Sequence, residues 1–83
     1  MATVKLKGSE GNLASASNVN FATVVRVVNN KTSVQVITHK NAAGAVLGTF
    51  TMTAGSVELV EKVSTDTLTG AATSLAVKVA YTK

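Results

Sequence analysis

Any chemistry in this 83-residue sequence has to start from its single histidine, His39, and its four carboxylates, Glu10, Glu58, Glu61 and Asp66. Nucleophilic catalysis needs a base beside a Ser, Thr or Cys, and with no Cys the one triad that can be drawn is His39, a serine and Asp66. A lone His near the end of a strand is far more often a surface residue than a base, so the chain reads as a non-enzyme. Four scattered carboxylates do not supply the clustered oxygens of a calcium or magnesium site, and Glu58 and Glu61 fall on opposite faces of a strand. One His without Cys serves zinc poorly. The glycines stand apart and none opens an amphipathic helix, so no phosphate cradle is expected. The sequence therefore predicts no catalytic, metal-binding or cofactor-binding residue, no cofactor and no small-molecule substrate.

What would position any site is a set of strands. Fourteen Val and twelve Thr, with no Pro, give a chain of β-branched residues that crowd a helix turn but pack well on a pleated surface. One domain, residues 1–83, is all this length allows. Its core should be light, because Val and Ala dominate and the aromatics are only Phe21, Phe50 and Tyr81. With no disulfide to reinforce it, self-association into a homo-oligomer is expected.

Period-two alternation marks strands at residues 2–7, 33–40, 45–53, 56–63 and 73–81, and the run FATVVRVV at 21–28, apolar on both faces apart from Arg26, reads as a central strand covered on each side or packed in an assembly; Gly- and Asn-rich turns separate them. Segments 8–20 and 64–72 read as the two long loops, and a loop as long as the first is usually functional or mobile. Val46, Gly48, Phe50 and Met52 form the expected core face of the fourth strand, with Gly48 a candidate bulge and Leu47, Thr49, Thr51 and Thr53 outside. In the last strand Thr73, Leu75, Val77, Val79 and Tyr81 are expected inside. Segment 56–63 fits a strand better than a helix, although Glu61 then sits awkwardly among Val57, Leu59 and Val63. Six antiparallel strands and two crossings predict an all-β protein, a small β-sandwich or jelly-roll-like barrel, with a five-stranded oligonucleotide-binding type of barrel as the competing architecture.

The net charge of +4 favours acidic partners, but the lysines are dispersed and read as a solvated surface. Single-strand binding needs exposed aromatics beside the basic residues; with all three aromatics assigned inside, nucleic acid is set second, as a small single-strand-binding β-barrel. No apolar run approaches the roughly 20 residues that span a bilayer, and the opening MATVKLK is too short and too charged for a signal peptide. No membrane partner is expected. The flat, uncharged ladder Thr49, Thr51, Thr53 can face another protein without the desolvation cost of Lys or Glu. Together with Lys5, Lys7 and Arg26 it makes up the expected interface.

The stretch FTMTAGSVELVEKVSTD at 50–66, the Thr67-Leu68 after it and the closing VKVAYTK resemble small virion structural proteins of tailed bacteriophages, particularly those of marine and cyanobacterial phages. The positions carrying the likeness are Gly55, Glu61, Lys62, Thr65, Asp66 and Tyr81. The resemblance implies a virion component made in a host cytoplasm, decorating or cementing the outer surface of a capsid. Its partners would be the major capsid protein or other virion proteins. A tail or neck component, and an adhesive module outside any virion, are the neighbouring readings.

Overall fold

The computed structural model describes residues 3–82, and of Thr3, Tyr81 and Thr82 the backbone only. Eight strands follow one another: β1 (Thr3–Leu6), β2 (Gly11–Asn12), β3 (Val24–Asn29), β4 (Gln35–Lys40), β5 (Val46–Met52), β6 (Val57–Glu61), β7 (Thr67–Thr69) and β8 (Ser74–Thr82). All pairings are antiparallel, in two sheets that make an all-β sandwich, as the composition predicts. The larger sheet runs β1-β8-β3-β6 with β2 also on β8, and the smaller runs β5-β4-β7. The two strands beyond the expected six, β2 and β7, lie in the segments read as loops. Two or three residues cannot display an alternation of their own; each is recruited by a neighbouring strand edge.

β8 organises the larger sheet. One of its edges pairs with β3 through Ser74 to Lys78, and the other takes β2 at Leu75 and Ala76, then β1 from Val79 onward. Residues 8–10 bulge out between those two partners. β6 zips along β3 from Val57 opposite Val28 to Glu61 opposite Val24, so segment 56–63 is a strand. Glu61 is no anomaly there, because it shares the outer face with Val57 and Leu59, all three exposed.

The core lies between the sheets and is built from Val25 and Val27 of β3, Ile37 of β4, Met52 of β5, Leu68 of β7 and Ala76 of β8, closed by Leu13, Val19 and Ala22. Its upper end is polar. Asn29 is fully buried and its Nδ2 donates to the carbonyls of Ser33, Met52 and Thr53 at 3.0–3.1 Å, tying β3 to the end of β5. Ser74 Oγ donates to Gln35 Oε1 at 2.5 Å, joining the two sheets directly. The backbone passes so close here that a Cβ on Gly70 would lie 2.7 Å from Ile37 Cδ1 and from Ser74 Oγ.

Three expectations are corrected. In β8 it is Ser74 and Ala76 that face the other sheet, on the side of Asn29 and Val27, whereas Leu75, Val77 and Val79 lie on the opposite face. Val77 and Val79 are buried even so, covered within the sheet, where Arg26 stands opposite the first and Leu6 opposite the second. The side chain of Tyr81 lies outside the described residues. In β5 only Met52 is buried and Phe50 partly so; Val46 and Gly48 are exposed. The reason is a register shift between His39 and Lys40, which sets Val46 opposite Lys40 and turns it out of the core. Phe21, finally, is 61% exposed, because the strand begins only at Val24.

Candidate functional site

His39 and Asp66, the two triad members drawn from the sequence, do meet. Nε2 of His39 lies 2.8 Å from Oδ2 of the buried Asp66, which also accepts the Val63 amide at 3.3 Å. Beside them Lys62 is buried, its Nζ donating to the carbonyls of Val63 and Ser64 at 3.3 Å each. Burial pushes its ammonium below the ordinary lysine range, and the Asp66 carboxylate opposes that shift. Among the described residues no hydroxyl hydrogen-bonds to His39, so no nucleophile completes the set. What the cluster does is fasten the end of β4 to the turn that enters β7.

The six expected interface residues fall on three separate surfaces. Arg26 is on the outer face of the larger sheet, 3.7 Å from Glu10. Lys5 and Lys7 project from the same sheet in the other direction, beyond the region the smaller sheet covers. Lys5 is opposite Ala80, on the face of Ala76, and both lysines are exposed. Thr49, Thr51 and Thr53 are exposed along β5 and just after it.

The threonines belong to a larger feature than a ladder. Thr51 stands opposite Val36, Thr49 opposite Thr38, and Thr38 opposite Thr69, so one face of the smaller sheet is a continuous array of β-branched side chains. The bulge adds Val46, 58% exposed, and Leu47, 54% exposed, to an array in which Val36 is already 54% exposed. Lys40, at the bulge, is its one charge; the sequence carries none between Lys40 and Glu58. Isolated exposed valines need no explanation, but here they are contiguous, an apolar patch with a single charge at its bulged end.

No protein-family model, curated protein or solved structure matches this chain. Its function is therefore argued from its own surfaces.

A second surface escaped the sequence. The connection from β2 to β3 passes through three consecutive left-handed residues, Val19, Asn20 and Phe21, at φ of 53°, 57° and 57°. For non-glycine residues, and above all for a β-branched valine, such backbone costs about 1–3 kcal/mol apiece. The turn is held by Asn18, whose Oδ1 accepts the Phe21 amide at 3.2 Å, by Ser17 Oγ on the Val19 amide at 3.0 Å, and by the burial of Val19 itself. It presents the Phe21 ring to solvent. Beside it opens a pocket of about 210 Å³ that includes Ser9, Asn12, Ser17 and Asn20 in its wall. The serines and asparagines of segment 8–20 were legible as a loop, but neither the pocket nor the left-handed turn has a signature in the residue order.

Proposed function

We propose that this protein is a structural component of a virion, decorating or cementing a capsid by laying the outer face of its smaller sheet against other virion proteins. The observation carrying this reading is the contiguous exposed array of Val36, Val46, Leu47, Thr49 and Thr51, with Lys40 at its bulge as the one charge. Such a face loses little on desolvation, since β-branched side chains have few rotamers to surrender and no charge to strip of water. Repetition over many copies then makes modest single contacts sum to firm attachment. The virion assignment itself comes from the resemblance of residues 50–68 and the closing strand to phage structural proteins.

The test is co-sedimentation with particles purified from the source of the sequence. The wild type is expected to pellet with them, and Val36→Lys/Thr51→Lys, folded by circular dichroism, to stay in the supernatant. Equal pelleting of the two proteins overturns the reading.

A further inference from the structure

Lys78 reaches the left-handed turn, and Lys7 and Lys5 stand beside it on the same face of the larger sheet. The Lys7 amide donates to the Lys78 carbonyl at 2.8 Å, continuing the register in which Lys5 stands opposite Ala80. Lys7 is thus directly across from Lys78, and Lys5 lies two residues along on the same face. Like charges directly opposite each other in an antiparallel pair oppose folding. No carboxylate relieves them, for among the described residues none of the three lysines is in an ion pair. Lys78 Nζ instead donates to the carbonyl of Asn20 at 3.3 Å, which places the ammonium beside the residue that precedes Phe21. Asn20 also lines the pocket, and so does Ala76, two residues from Lys78 on the same face of β8.

We propose that this corner, with Lys78, Lys7 and Lys5 in a row beside the turn that carries Phe21 and the pocket of Asn12 and Asn20, binds single-stranded nucleic acid. The lysines would take consecutive phosphates, the exposed ring would stack a base, and the amides and hydroxyls of the pocket would meet the edge of a heterocycle. An acidic peptide would use the cations alone and leave both the ring and the polar pocket without a purpose. The sequence pattern predicts all three aromatics inside, which argues against stacking; the structure puts Phe21 outside. The inference is independent of the contact face on the smaller sheet and stands whether or not the chain attaches to a capsid.

The experiment is fluorescence anisotropy with a labelled oligothymidylate of about 12 nucleotides, within the roughly 4–16 covered by a small β-module. Micromolar binding is expected, weakening with salt at a log-log slope of about −2, the value for three phosphates on a single strand. Phe21→Ala should weaken binding roughly 5- to 150-fold, the range for loss of one stacked base, and Phe21→Tyr should restore it. The triple variant Lys5→Ala/Lys7→Ala/Lys78→Ala should flatten the salt slope, whereas Lys31→Ala, in the β3–β4 turn, should leave affinity and slope unchanged. Each variant is first checked for the wild-type melting temperature, and the single and triple variants read the ring and the cations separately. Absence of binding at low salt, an unchanged affinity in Phe21→Ala, or equal binding of a poly-glutamate peptide overturns the proposal.

Discussion

The two sides of the sandwich are closed by different means. On one side the chain from 13 to 22 crosses between the sheets and is sewn to both. The Leu13 amide donates to Ser74 of the larger sheet and its carbonyl accepts Gly70, while Ser17 and Leu68 of β7 exchange hydrogen bonds at 2.9–3.0 Å. Leu13 and Leu68 plug the gap behind that seam, both fully buried. On the other side β5 and β6 are the free edges of their sheets, joined only through the turn at 53–56, with Phe50 and Val60 partly covering the core. A domain this poor in large side chains seals one side with backbone hydrogen bonds and leaves the β5 and β6 edges unpaired on the other. The β-branched outer face of the smaller sheet and the strained basic corner on the larger one are therefore separate surfaces of one small molecule.

The sharpest break in that comparison comes from cavities. Leu13→Ala should lower stability by about 2–5 kcal/mol, because the seam is fastened by hydrogen bonds and cannot collapse onto the void. Leu59→Ala, at the exposed edge strand β6, should change it by no more than about 0.5 kcal/mol. Urea midpoints at constant slope measure both, and similar losses would show that the sides are not distinct.

Next in size is the knot that keeps the open side in place. Asn29→Ala strips the Met52, Thr53 and Ser33 carbonyls of their donor and should cost about 1–3 kcal/mol. Hydrogen exchange should then rise first in β5. Exchange rising first in residues 13–22 would place the weak point on the other side.

A smaller effect is expected where the chain leaves β6. Lys62 has its folded-state pKa held below the unfolded 10.5, so between the two values the unfolded chain binds more protons and stability rises with pH. The rise occupies the alkaline window that ends near 10.5, and the burial penalty on the charged form is fully present below it. Lys62→Met should remove this slope, and chemical denaturation across that window checks it.

Smallest of all, Thr51→Lys should leave stability unchanged within about 0.5 kcal/mol, since the side chain is exposed and touches no buried group. Under the proposed function its effect is expected in particle attachment alone.

The Val and Thr content by itself determined that this chain would be β, since χ1 crowding disfavours helix wherever these residues stand, and alternation placed the six longer strands within a few residues. It also fixed the charge-free stretch from 41 to 57 and hence the threonine face. The tertiary structure alone decided which side of β8 looks inward, because the alternation Ser-Leu-Ala-Val-Lys-Val gathers Leu75, Val77 and Val79 on one face and points to that face as the core, whereas the pairing with β3, the Ser74–Gln35 bond and the close approach at Gly70 turn Ser74 and Ala76 inward. It alone decided that Val46 is outside, since a bulge is a property of two strands in register and not of either one. And it alone put Lys7, Lys78 and the turn that carries Phe21 together: Lys78 stands 57 positions after Phe21, the pairing of β1 with β8 sets Lys7 across from Lys78, and Lys78 Nζ reaches the Asn20 carbonyl.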